Sequence, residues 1–256
     1  MSKLDPTFGA TGSVATTALV VGATGATGSH LLEQLLHSGI HVRAIVRSPE
    51  KLKDEVRSNP NLKIIRANVL EVSDADIREH VRGCHSVISC LGHAMDFKGV
   101  FGGPKMLCTD AVRHLCSAIE GNAPVDPVRF ILMNTVGAAN PDIDPRRTLF
   151  DRVFLALLRR AVPPHRDNEY AQQYLHKHVG TSNQYIEWCA VRPDSLTNSD
   201  VSQYDILPSP VTGIFSGRPT ARANAAHFMA ALVSGAALWQ QWKFRTPVIM
   251  NAIEQS

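Results

Sequence analysis

Residues 18–36, ALVVGATGATGSHLLEQLL, join an apolar run to a helical pattern through three glycines. Ala18 to Val21 reads as a buried strand, and Ser29 to Leu36 as an amphipathic helix. Between them Gly22, Gly25 and Gly28 stand three apart, with Thr24, Ala26 and Thr27 in the gaps. A strand that turns sharply into a helix brings unpaired helix N–H groups and a positive dipole end to one place. Gly22 permits the tight turn, Gly25 leaves room for an anion against the backbone, and Gly28 lets helix and strand pack closely. The loop from Gly22 to Gly28 therefore reads as a seat for a dinucleotide pyrophosphate. The spacing is GxxGxxG, not GxGxxG. The glycines alone would equally suit a bare βα turn, and their place between strand and helix carries the reading.

The chain then continues IHVRAIVRSPEKL, residues 40–52. Val42 to Val46 reads as the next parallel strand. An acidic residue at the end of such a strand would bind the 2′-hydroxyl of an NAD ribose. Here Arg47 follows the strand, then Ser48, with Lys51 one turn on. A guanidinium forks onto a phosphate, which an acid would repel. The expected cofactor is NADP(H), with Arg47 and Lys51 on its 2′-phosphate. Arg43 is expected to face outward.

At 256 residues the chain suits one α/β domain with a substrate-side extension. A net charge of +3 without a dense Lys/Arg block is too little to argue for nucleic acid, and no nucleic-acid partner is expected. Cys84, Cys90, Cys108, Cys116 and Cys189 are scattered, without a C-x-x-C pair, and read as reduced thiols of a cytoplasmic, reducing compartment. No zinc-ligand spacing is present, and His176 and His178 would point to different helix faces, so no metal is expected. No apolar run reaches membrane-spanning length, and no membrane partner is expected. Residues 1–17 are small and polar, without the features of a signal peptide, and read as a flexible leader.

Strand and helix patterns alternate through the rest. Leu62–Arg66, Ser86–Cys90, Val128–Met133 and Ile186–Val191 read as strands. A helix capped by Ser73 and closed at Gly83, Pro104–Ile119, Leu149–Arg160, and Asn168–His178 read as the helices between them. Such alternation implies an α/β fold with a doubly wound parallel sheet, Rossmann-like, that binds ligands at the carboxyl ends of its strands. Residues 18–256 are expected to form one domain. From about 194 to 256 the chain, rich in Ser, Pro, Thr and Gly up to residue 220, reads as a small C-terminal substrate cap. It holds a helix at Asn224–Leu232 and a strand at Pro247–Met250. Trp239 and Trp242, three apart, suit a core anchor or a homodimer contact.

The ordered pieces GATGATG (22–28), VRSPEKL (46–52), ANVLE (67–71), SCLG (89–92), FILMNTVGA (130–138) and WCAVRPDSLTN (188–198) resemble the atypical short-chain dehydrogenase/reductases of the NmrA-like, NAD(P)-binding group. The resemblance implies that Asn68 and Val69 lie against the adenine, and that Cys90, Leu91 and Gly92 line the ribose and nicotinamide side. It places Asn134 in the cofactor site and Thr135 where a Ser or Thr donates to a substrate carbonyl. Pro193 and Leu196 would close over the nicotinamide. The wider superfamily passes its proton through Tyr-x-x-x-Lys. The corresponding window, HRDNEYAQQYLHK, lacks that pair and puts His165 at the Tyr position and Glu169 at the Lys position. It resembles flavin/biliverdin reductase-type relatives, which also lack the pair.

His165, oriented by Glu169, and Tyr170 are the candidate proton donors, with Asp167 a further acid and Thr135 the oxyanion donor. Phe97, Phe101, Phe150 and Phe154 could floor an apolar pocket, and His93 could reach the nicotinamide edge. The combined expectation is an NADPH-dependent reductase of a small apolar carbonyl, enone or quinone-like substrate. Two rivals stay open: a non-redox isomerase or cyclase of secondary metabolism on the same scaffold, and a non-catalytic NADP(H)-sensing regulator.

Overall fold

A computed structural model describes residues 2–4, 16–92, 106–138, 140, 144, 163–210 and 218–253. Along the chain lie β1 (Ser2–Leu4), β2 (Thr17–Val21), α1 (Gly28–His37), β3 (His41–Val46), a 3-10 turn (Pro49–Lys51), α2 (Asp54–Arg57) and β4 (Leu62–Arg66). Then come α3 (Asp74–Val81), β5 (Ser86–Ser89), α4 (Leu107–Asn122), β6 (Val128–Met133) and α5 (Pro163–Tyr174), which runs into a π turn (Leu175–Val179). The last elements are β7 (Ile186–Pro193), β8 (Leu196–Thr197), β9 (Tyr204–Leu207), β10 (Thr220–Ala221), α6 (Arg222–Ser234), α7 (Ala236–Trp242) and β11 (Val248–Asn251).

The strands form a sheet in the order β4-β3-β2-β5-β6-β7-β11-β9-β1. Every pair from β4 to β11 is parallel, whereas β9 runs antiparallel to both β11 and β1. Successive residues of a strand point to opposite faces, and both faces here are covered. Ala18 and Val20 enter a core shared with α1, α6 and α7. Leu19 and Val21 enter a second core shared with α3, α4 and α5. That two-sided burial explains why the strands read as continuous apolar runs.

Three expectations are corrected. The leader at 1–17 is not irregular throughout. Ser2–Leu4 pairs with Tyr204–Ile206, giving the outer edge of β9 a backbone partner. The stretch from 194 onward is more than a cap. β9 and β11 extend the main sheet, and α6 packs on α1. The reason lies in α6 itself, RANAAHFMAALVS, which is apolar around its whole circumference and buried from Ala223 through Val233 save at His227. A helix of that kind belongs inside. Among the described residues, only the short parallel pair β8–β10 lies outside the main sheet. Finally, Arg43 does not face solvent freely. Its guanidinium donates to the carbonyls of His80 (2.8 Å) and Arg82 (2.7 Å), closing the C-terminus of α3.

Trp239 and Trp242 are core anchors, both buried beside α6. The helix pattern at Leu149–Arg160, the four phenylalanines proposed as a pocket floor, and His93 lie outside the described residues. No helix among the described residues is long and apolar enough to cross a membrane.

Candidate functional site

The strand order reverses between β2 and β5, neighbours that are far apart in sequence. Chains leaving such a pair diverge to opposite faces of the sheet and open a crevice at its carboxyl edge. The glycine turn leaves β2 at that point. Gly22 has φ +81°, a left-handed conformation that a side chain resists. A Cβ on Gly22 would sit 2.5 Å from the carbonyl carbon and oxygen of Cys90, where the chain leaves β5. A Cβ on Gly28 would sit 2.1 Å from the Gly22 carbonyl oxygen. These two glycines press the turn onto β5 and the helix onto the turn. Gly25 differs: it is exposed, and an added Cβ would meet only the Gly22 oxygen at 3.2 Å.

The turn fits a diphosphate. Gly25 and Ala26 face solvent, Thr24 is half-buried, and Thr27 is buried at the N-cap of α1. The Thr27 side chain makes no capping hydrogen bond, no other described side chain caps that helix, and no acid stands in its first turn. Its amino end is therefore free to meet an anion. Cys90 contributes main chain only, because its side chain turns into the core beside α1, and burial pushes its thiol up to about 12. The Leu91 carbonyl accepts from Cys108 Sγ (3.4 Å), and Gly92 has open space beside it.

One strand further out, Arg47 follows β3. It is exposed and has no hydrogen-bond or ion-pair partner among the described residues. Lys51 lies exposed at the end of the 3-10 turn. Glu50 between them is held below the usual carboxylate range, chiefly by a backbone hydrogen bond, with help from Ser48, Arg66 and Lys51. Arg66, exposed at the end of β4, thus adds a cation to this corner that the sequence reading passed over. Its only sequence signal was its place at a strand end.

Asn68 and Val69 follow β4. Val69 buries its side chain in the core beside α3 and α4, and Asn68 folds into a local turn in which its Nδ2 donates to Glu71 Oε1 at 2.8 Å.

On the other side of the crevice, Asn134 and Thr135 follow β6. The Thr135 amide donates to Asn134 Oδ1 (2.9 Å), and the Gly137 amide donates to Thr135 Oγ1 (3.3 Å). That hydroxyl is used as an acceptor and keeps its proton to give. Val136 N–H donates to the Pro193 carbonyl (3.1 Å), joining the ends of β6 and β7. Leu196 lies half-buried just beyond, in β8. Arg192 is wholly buried and grips Asp144 with both terminal nitrogens (2.6 and 2.8 Å), while its Nε donates to the Thr246 carbonyl (2.7 Å). This ion pair ties the chain after β6 to β7 and to the approach of β11.

α5 places two of the candidate acids away from the end of β6. Asn134 Nδ2 donates to the Asn168 carbonyl (3.0 Å) and to Gln172 Oε1 (3.3 Å), so the face of α5 carrying Asn168 and Gln172 meets the end of β6. At about 100° per residue, Tyr170 lies on the opposite face. It is exposed, and its hydroxyl accepts from Arg166 Nη2 (2.8 Å). Tyr170 therefore does not face the end of β6. Asp167 is fully buried as a cap for α4. Its carboxylate accepts from the amides of Cys108 (2.7 Å) and Thr109 (2.9 Å) and from Thr109 Oγ1 (2.7 Å). Glu169 is half-buried. His165 lies in the first turn of α5, with its side chain outside the described residues.

A doubly wound parallel sheet with a glycine turn at its switch point defines a dinucleotide-binding domain. The sequence profile of the NAD(P)H-binding family matches residues 22–235, and the chain belongs to that family. An uncharacterized oxidoreductase of Schizosaccharomyces pombe is 33% identical over 131 residues, which are 50% of this chain and 39% of that protein. The chain thus spans about two fifths of that curated relative. Among solved structures, a short-chain dehydrogenase/reductase from Veillonella parvula in complex with NADP superposes with a TM-score of 0.67 at 12% identity, over 93% of this chain and 95% of the other. An anaerobillin reductase, ChuY from Escherichia coli O157:H7, gives 0.64 at 15% identity, over 94% and 100%. At these identities the likeness is one of fold, and it agrees with the Rossmann-like expectation.

Proposed function

We propose that the chain is an NADPH-dependent reductase of a small apolar carbonyl, enone or quinone-like acceptor. Arg47 carries this reading: an exposed, unpartnered guanidinium where an NAD-specific domain would hold an acid. When bound, the cofactor supplies a hydride. The chain supplies the rest. The turn from Gly22 to Gly28 holds the diphosphate, and Arg47 with Lys51 holds the 2′-phosphate. Thr135 Oγ1–H donates a hydrogen bond to the acceptor oxygen and polarises it, and His165, with Glu169 four residues on, is the proton source. The family, the fold shared with an NADP complex and the reductase named above support this reading. Five unpaired, buried thiols support a reducing compartment.

One observation favours a second reading. Where a proton-passing pair would meet the end of β6, the described contacts are those of the Asn134 side chain with the Asn168 main-chain carbonyl and the Gln172 side chain. Amide side chains do not titrate, and they suit a site that binds NADP(H) without turning it over.

The two readings separate in one series. NADPH fluorescence is titrated into the protein and into Arg47→Ala, and NADH is run in parallel. A lost charge-assisted contact weakens NADPH about 10- to 100-fold and leaves NADH within about threefold. Equal losses for both would remove the NADPH assignment. Quinones, flavins and enones are then added: a reductase consumes the signal, and a sensor only binds.

A further inference from the structure

The adenine side of the crevice rests on a support that the functional reading above does not use. After β4 the chain turns through residues 67–72. The Glu71 and Val72 amides donate to the Asn68 carbonyl (2.8 and 3.2 Å), and the Leu70 amide donates to Asn68 Oδ1 (3.3 Å). The Val69 amide has no protein acceptor among the described residues. A trans peptide points its N–H opposite to its C=O. Because the Asn68 carbonyl points into the turn, the Val69 N–H points out of it.

The next peptide is pinned from a distance. His114 Nδ1 on α4 lies 3.1 Å from the Val69 carbonyl oxygen, 45 positions away in sequence. A carbonyl can only accept, so Nδ1 carries the proton and donates. The ring is largely buried, with only 17% of its side chain exposed; its Nε2 lies 3.3 Å from Asp74 Oδ1 at the start of α3 but makes no hydrogen bond among the described residues. One imidazole thus ties the turn to α4, and the turn, whose Asn68–Val69 peptide is itself oriented by the Glu71 and Val72 amides, cannot shift away from α4 without breaking that bond.

We propose that His114 is a positioning residue for the nucleobase. Its Nδ1–H anchors the Val69 carbonyl to α4 and so sets where the turn, with its outward Val69 amide, stands for a ring nitrogen of adenine. The proposal rests on the dinucleotide reading and adds to it the residue that sets how the base edge is read. His114 touches no cofactor atom in this account and acts only through Val69.

The test uses two isosteres. Asparagine places an amide N–H where Nδ1 stands, whereas glutamine reaches the Nε2 position and cannot serve the Val69 carbonyl. Binding of adenosine 2′,5′-bisphosphate is measured by calorimetry for wild type, His114→Asn and His114→Gln. NADP and its 1,N6-etheno derivative, whose base edge is blocked, are compared in each. Loss of one neutral hydrogen bond predicts about a fivefold weakening in His114→Gln and rescue to within about twofold in His114→Asn. In His114→Gln the preference for NADP over the etheno form also falls towards unity. Unchanged affinity in His114→Gln, or equal weakening of both nucleotides with the preference intact, overturns the proposal. Absence of any dinucleotide uptake by wild type overturns the cofactor reading and this inference with it.

Discussion

At the scale of single residues, the glycines of one turn do two different jobs. Gly22 and Gly28 are required by the protein's own backbone, since a methyl group at either would lie within 2.5 Å of a carbonyl atom. Backbone cannot give way as a flexible side chain can, so Gly28→Ala must push α1 off the turn. Overpacking of this kind costs about 1–3 kcal/mol, and urea denaturation of the variant is expected to show it. Gly25 has only a 3.2 Å contact to absorb, and its outer side faces the crevice. Gly25→Ala is therefore expected to unfold within about 0.5 kcal/mol of wild type while losing most of its NADPH affinity. Equal stability losses in the two variants would show that the turn has no face reserved for a ligand.

At the scale of elements, α4 and α5 form one unit through a cap that no local pattern reveals. Met106 occupies the N-cap of α4 and offers no side-chain acceptor, and the acceptor comes from Asp167, 59 positions after the Cys108 amide that it caps. Asp167→Ala strands two buried amides, while the Thr109 hydroxyl keeps the main-chain carbonyl of residue 167 as its acceptor at 3.0 Å. A loss of about 2–4 kcal/mol is expected by chemical denaturation, with faster amide exchange at the start of α4. Asp167→Asn keeps one acceptor and should lose less. The contrast with α3 explains what was legible. Ser73 caps α3 from within, its Oγ accepting from the Asp76 amide at 3.2 Å, and that pattern is visible in four consecutive residues. The strands were legible for the same reason, because burial on both faces writes itself as a local apolar run. Asp167 was read as an acid, and Tyr170 as a proton donor, because the phase of α5 depends on Asn134 and Thr109, which sequence spacing does not bring near. His114 was passed over for the same cause: its partner Val69 lies on another element.

For the whole molecule, the nucleotide-binding half was readable and the far edge was not. The segment around Tyr204–Leu207 lies among Ser, Pro and Thr residues and pairs antiparallel with two strands from opposite ends of the chain. No local period announces such pairing. The composition did announce the state of the thiols, and their burial has a consequence for the molecule as a unit. Cys84, Cys108 and Cys116 lie in one core and Cys90 and Cys189 in the other. Burial pushes Cys84 up to about 11 and Cys90 up to about 12, and raises the other three. An unfolded thiol ionises near pH 8.5. Above that value the unfolded chain releases protons that the native chain retains, so stability falls as pH rises. Below it the thiols stay protonated in both states, and their contribution is present in full. Each thiol then costs about 1.4 kcal/mol per pH unit until its native value is reached. Denaturation midpoints in reductant should be flat up to about pH 8.5 and fall steeply by about pH 9.5. Cys116→Ala, less stable at neutral pH because it opens a cavity, should show a shallower alkaline limb by one thiol's share. A midpoint unchanged across that range would mean that the thiols meet water in the native state, and that the two cores do not close around the sheet as described.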